Sequence, residues 1–194
     1  MHPVYMCGGA TIGLRLHTGW AMLVALVHKG DALRILHRCR VELLPPGRER
    51  FVYHHAAELP LRDAETLIDS IRQTAEATTR TNLRSAIDNV NVTRACISTG
   101  STPVSDNLCA VLQSHARIHA AESALYFVAT VSACNYLGIP LITVRERDVW
   151  RLASANTRMP EADLKARIDA VRKTLGPPWT ADHKIAAAAA LVQA

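Results

Sequence analysis

The sequence predicts an α/β fold, a mixed five-stranded sheet flanked by helices. Three observations carry this. Residues 11–44 alternate apolar and polar side chains in three runs, the period of half-buried strands. Two later apolar runs, Val92–Ser98 and Leu141–Val144, each follow a segment with helical spacing. Strands separated by a helix pair in parallel, because only a crossover connection allows it.

Taken in order, Thr11–His17, Gly19–His28 and Ala32–Leu44 read as an antiparallel meander, the last two joined by a Lys29-Gly30-Asp31 turn. Pro45-Pro46-Gly47 ends the third strand, and a charged loop runs through Glu58. A helix follows, with Leu67, Ile68, Ile71, Ala75 and Thr78 on one face and Asp63 and Glu65 suited to the positive end of its dipole. Threonines at 78, 79 and 81 predict fraying there. Val92–Ser98 is the fourth strand, expected beside the first. A second helix spans Ser114–Leu137 and stops at Gly138 and Pro140. After the fifth strand, Leu141–Val144, come helices at Asp148–Ala155, Pro160–Leu175 and Ala181–Gln193, the middle one with proline at its first position. Residues 1–194 are expected to form one domain, long enough to bury a core.

Composition narrows the class. Apolar residues make up 49%, which argues against disorder, and the net charge of +5 permits a polyanionic partner or simple solubility. Five cysteines (Cys7, Cys39, Cys96, Cys109 and Cys134) show no CxxC pair, and an odd count argues against a disulfide framework. A cytoplasmic location is expected. The apolar run Trp20–Val27 is too short to span a bilayer, so no membrane association is expected, and neither is a signal peptide. No Gly-rich phosphate loop, Walker motif or serine-nucleophile elbow is present.

The element order is that of the ribonuclease H-like fold, and three stretches resemble the RuvC-type Holliday-junction resolvases. Thr18-Gly19-Trp20-Ala21 is similar to the end of the family's D-P-G-x-x-x-T-G pattern. Ala120–Ala153 resembles its helix, its G-[IL]-P-[VL] approach to strand five and the basic segment beyond. Gly176–Val192 resembles its proline, D-x-x-D-A and Ala-rich closing helix. The resemblance implies four carboxylates holding two Mg²⁺ ions for phosphodiester hydrolysis, and a homodimer. Carried over by position, the first acid falls on Ile12 (or Thr11, Gly13 or Leu14 with a shifted count) and the second on Ser98. Asp182 matches the third, and Ile185 stands at the fourth. Only Asp182 is retained as a catalytic candidate, and it also suits the first turn of a helix as a plain solvated acid.

Other residues offer replacement chemistry. Arg15 and His17 share the polar parity of the first strand, where a cation could take a phosphate or simply face water. His115, His119, Glu122 and Tyr126 form a helical stripe flanking Ile118, Ala121, Leu125 and Val128. Two imidazoles four residues apart with a nearby carboxylate can bind zinc, and equally can line the edge of a core. Arg145, Arg147 and Arg151, then Lys165, Arg167, Arg172 and Lys173, form basic clusters suited to a phosphate backbone or to a charged helix face.

The leading expectation is a catalytically degenerate RuvC-like protein that binds nucleic acid (branched or duplex DNA) or a protein partner without cutting, and needs no cofactor. One alternative is a metal-dependent nuclease, using Mg or Zn, rebuilt around His115, His119, Glu122 and Asp182. Another is a structural, partner-binding scaffold.

Overall fold

The computed structural model describes residues 9–30, 32–100, 105 and 107–192; Cys7, Asp31 of the expected turn and Gln193 lie outside the described residues. The five strands are β1 (Ala10–His17), β2 (Trp20–Lys29), β3 (Ala32–Glu42), β4 (Val92–Thr99) and β5 (Leu141–Arg145). They form one sheet in the order β3-β2-β1-β4-β5. The β1–β2 and β2–β3 pairs are antiparallel, and β4 runs parallel to both β1 and β5. The expected meander and the pairing of Val92–Ser98 beside the first strand are both present. His17 pairs with Trp20, so Thr18-Gly19 is a two-residue hairpin turn, and Gly19 supplies the positive φ of +81° it needs.

Eight helices accompany the sheet among the described residues: α1 (Val52–Ala56), α2 (Leu61–Ile87), α3 (Leu108–Leu112), α4 (His115–Tyr136), α5 (Val149–Thr157), α6 (Glu161–Ala170), α7 (Arg172–Leu175) and α8 (Ala181–Ala190). A 3₁₀ turn at Glu146–Asp148 joins β5 to α5. No helix among the described residues is long and apolar enough to cross a membrane.

Five sequence expectations are corrected. The helix expected over Pro160–Leu175 is divided at Val171 into α6 and α7, and Pro160 caps α6 from outside its first turn. The loop read through Glu58 contains α1, and α3 precedes α4. Helix α2 does not fray at the threonines: Thr79 is buried on its core face, and Thr81 Oγ1 donates to the Ala77 carbonyl one turn back. Its buried stripe is Ala64, Ile68, Ile71, Ala75, Thr79 and Leu83, so Thr78 falls outside it. On α4 the stripe is rotated, because α4 is covered on two sides: Glu122 and Tyr126 are buried, whereas Val128 is exposed.

Strand alternation sorts the core into two layers. Ile12, Leu14, Leu23 and Ile97 pack on one face of the sheet with Ile68, Ile71, Ile118 and Leu125 of α2 and α4. Met22, Val24, Leu26 and Cys96 pack on the other with α5, α6 and the alanines of α8. Burial pushes the thiols of Cys96 and Cys134 up to about 12, so both are inert fillers of the core.

Helix α8 lies unusually close to β1. Thr11 Oγ1 donates to the Ala190 carbonyl at 2.7 Å, and a Cβ on Gly13 would stand 1.8 Å from the Ala186 oxygen. Four helical residues rise about 6.0 Å, and two strand residues about 6.6 Å. The two chains therefore run antiparallel in register, Thr11 under Ala190 and Gly13 under Ala186. The next step of that register brings Arg15 under Asp182.

This close approach makes Gly13 irreplaceable. Gly13→Val should cost about 1–3 kcal/mol or more in urea unfolding, because backbone must move. Gly100→Ala, where a Cβ meets open space, should stay within about 0.5 kcal/mol. Wild-type stability for Gly13→Val would show that α8 does not rest on β1 here.

Candidate functional site

Two clusters of polar side chains lie where β1, β4 and β5 end, on opposite faces of the sheet. The first is built on Arg15. It pairs in register with Ser98 of β4 and points toward α8. Its Nε and Nη2 donate to the two oxygens of Glu146, at 3.1 and 2.8 Å, and its Nη1 donates to Asp182 Oδ1. The side chain is only 19% exposed and Asp182 24%, so the cluster is partly shielded from water. A two-pronged guanidinium–carboxylate pair of this kind is held in one geometry by charge-assisted hydrogen bonds. His17 Nε2 also reaches Asp182 Oδ1, at 3.0 Å, while its ring stacks on Trp20 at 4.1 Å and 8°. The Arg40 guanidinium lies 4.2 Å from the Trp20 ring centre, a cation–π contact.

The positions carried over from the family separate in space. Ile12 and Leu14 are buried on the opposite face, in the α2–α4 layer. Thr11 and Gly13 lie beneath α8. The β1 residue that faces Asp182 is Arg15. Ser98 is buried and donates to the Leu14 carbonyl at 3.3 Å. Asp182 is more than a solvated first-turn acid, since it binds both Arg15 and His17. Glu146 escaped the sequence reading: among the arginines of VRERD nothing marks it as the inward-facing acid.

Asp182 is placed by the start of α8. Thr180 and His183 form a reciprocal cap, in which the Thr180 N–H donates to His183 Nδ1 at 3.2 Å. Burial, with the Arg38 charge adding to it and Asp182 opposing, holds the His183 imidazole below its ordinary 6.5. Arg38 reaches from β3 to the carbonyls of Leu175, Gly176 and Pro178, fixing the loop that leads into α8.

The second cluster joins α1 and α4. His115 and His119, one turn apart, face each other through Nε2 at 3.0 Å. His54 of α1 closes the group, its ring centre 5.3 Å from that of His115 and 4.7 Å from that of His119. Behind it, Glu122 accepts from His54 Nδ1 at 2.9 Å. The rebuilt site expected from His115, His119, Glu122 and Asp182 together is thus divided: three of the four gather around His54, and Asp182 stands across the sheet. His54 was missed because α1 is too short to leave a periodic signal.

The basic residues are spread along the α8 side. Arg145, Arg147 and Arg151 are exposed, the last two sharing Asp148 at 4.0 and 3.3 Å. Lys165 is paired with Glu161 at 2.6 Å and lies 5.3 Å from the Trp150 ring centre. Arg167 is half-buried on α6, while Arg172 and Lys173 are exposed on α7.

No family model matches the chain, and no curated protein matches it by sequence. Among solved structures it is similar to Thermus thermophilus RuvC, with a TM-score of 0.53 and 11% identity over 94% of this chain and 90% of that one. It is equally similar to T. thermophilus RuvC in complex with a Holliday junction substrate, at TM-score 0.53 and 12% identity over 95% and 91%. At such identity the likeness concerns the fold, which is ribonuclease H-like.

Two measurements check this geometry. In a double-mutant cycle of Arg15→Met and Asp182→Asn, the unfolding free energies should be non-additive by about 0.5–3 kcal/mol. Strict additivity would mean the pair is not formed. As for pH, the unfolded chain takes up a proton that folded His183 resists. Stability should be complete above pH 6.5 and fall as the pH drops below it. His183→Gln, which keeps an acceptor for the Thr180 N–H, should flatten this part of the melting-temperature profile.

Proposed function

We propose that the chain binds branched or duplex DNA along the edge where β1, β4 and β5 end, and that it does so without two-metal hydrolysis. The observation that carries this reading is the placement of Arg15. Paired Mg²⁺ ions about 3.5–4 Å apart need several hard oxygen ligands at once. The two acids that meet here, Glu146 and Asp182, both point at a guanidinium. Ser98 stands on the neighbouring strand and Ile185 one helical turn on, so the residue set does not fit a magnesium pair. A fixed positive group, already neutralised by its neighbours, replaces the exchangeable cations.

DNA as ligand class is supported by the similar structure that holds a Holliday junction substrate. Exposed Arg145, Arg147 and Arg151 adjoin Glu146 at that edge and would supply phosphate contacts. The homodimer implied by the resemblance belongs to the same proposal and is read by sedimentation.

A labelled four-way junction and a duplex, titrated by anisotropy at several salt concentrations, test the binding. Affinity should fall by about 0.9 log units per log unit of salt for each phosphate neutralised. Replacing Arg145, Arg147 and Arg151 by alanine should reduce that slope; an unchanged affinity would remove this surface from the account. With Mg²⁺ or Mn²⁺ present the junction should stay intact. Cleavage by wild type that Asp182→Ala abolishes would replace this reading with a nuclease.

A further inference from the structure

We propose that His54, His115 and His119 bind a transition-metal ion, of which zinc fits best, and that Glu122 is the positioning residue that aims His54. The site lies across the sheet from Arg15 and is independent of the DNA-binding proposal.

The geometry is that of converging ligands. His115 and His119 are four residues apart on α4, which places both rings on one face of the helix. The third imidazole comes from a different element, so the group is a tertiary arrangement and no accident of helical spacing. One nitrogen from each of the three rings lies within 4.8 Å of the others. Zinc–nitrogen bonds of about 2.0–2.1 Å at tetrahedral angles separate two ligand nitrogens by about 3.3 Å. The 3.0 Å between His115 Nε2 and His119 Nε2 is already close to that figure. The remaining approach is within the reach of small ring rotations.

Glu122 supplies the independent observation. Its carboxylate is 2% exposed, and among the described residues its hydrogen bonds all go to His54: the ring Nδ1 at 2.9 Å and the backbone N–H at 3.3 Å. The bond to Nδ1 fixes the orientation of the His54 ring and leaves its Nε2 as the nitrogen that can ligate an ion. Carboxylate–histidine–metal relays work this way, fixing the tautomer and raising the basicity of the ligating nitrogen.

The donor set selects the ion. Three imidazole nitrogens suit zinc and its transition-metal neighbours, whereas Mg²⁺ demands oxygen. His115 and His119 are exposed, so an ion has a path from solvent. Three protein ligands leave the fourth tetrahedral position open, as in catalytic and not structural zinc sites.

The competing role for Glu122 is purely structural. Helix α1 has no side-chain cap of its own, and the bond to the His54 N–H caps it from α4. The experiment separates the two roles. Tag-free full-length protein is stripped with a chelator and titrated calorimetrically with Zn²⁺, with Co²⁺ as a visible-absorption probe of tetrahedral nitrogen ligation and Mg²⁺ as control. One Zn²⁺ per chain, a strong Co²⁺ band displaced by Zn²⁺, and no Mg²⁺ binding are expected. His54→Ala, His115→Asn and His119→Asn should each abolish the band while circular dichroism confirms a folded chain. Glu122→Gln should weaken zinc binding by about 10–100-fold, and Asp182→Asn should leave it unchanged. Absence of zinc binding in wild type, or full affinity retained after His115→Asn and His119→Asn, overturns the site. Glu122→Gln that lowers the melting temperature at unchanged zinc affinity overturns its positioning role.

Discussion

The contact on which the candidate functional edge depends is that between Gly13 and the backbone of α8. A helix of alanines can settle onto a strand only where the strand offers no side chain in return, and Gly13 is that place. Once the helix is seated, two periodicities do the rest. Four residues of helix and two of strand cover nearly the same length. The register therefore carries from Thr11–Ala190 through Gly13–Ala186 to Arg15–Asp182. The position of the acid is a consequence of backbone packing one turn away.

That register decides the electrostatics of the edge. Parallel pairing with β4 puts Ser98 beside Arg15, and the 3₁₀ turn after β5 brings Glu146 to the guanidinium from the other side. Each acid alone, partly withdrawn from water, would be costly, and the two together would repel. The guanidinium between them relieves both penalties. The arginines that remain exposed at the same edge, Arg145, Arg147 and Arg151, carry the outward field. On the proposed DNA-binding reading, the inner charges serve the fold and the outer ones would serve the encounter with a polyanion.

Across the sheet, the histidine cluster follows a different logic. Tyr126 donates to the Arg50 carbonyl at 2.7 Å, pinning the chain just before α1 to the middle of α4. Val52, Tyr53 and Ala56 bury one side of α1, which leaves His54 facing His115 and His119. A helix of five residues has no stability of its own. Its orientation, and hence the convergence of the three rings, is set by the helices it packs against, α2 and α4.

The sequence by itself determined the five strands and their order, since alternation, turn glycines and crossover helices are local or nearly local signals. It also placed Arg15 and His17 on one parity of β1 and His115 and His119 on one face of α4, because those relations follow from the period of a single element. What it did not contain was the register between elements. Whether Asp182 meets Thr11, Gly13 or Arg15 turns on where α8 settles along β1, a register that no spacing within one element encodes. Glu146 and His54 belong to the tertiary structure for the same reason. Each gains its role from a partner more than 60 positions away, and only the folded chain brings those partners within hydrogen-bonding distance.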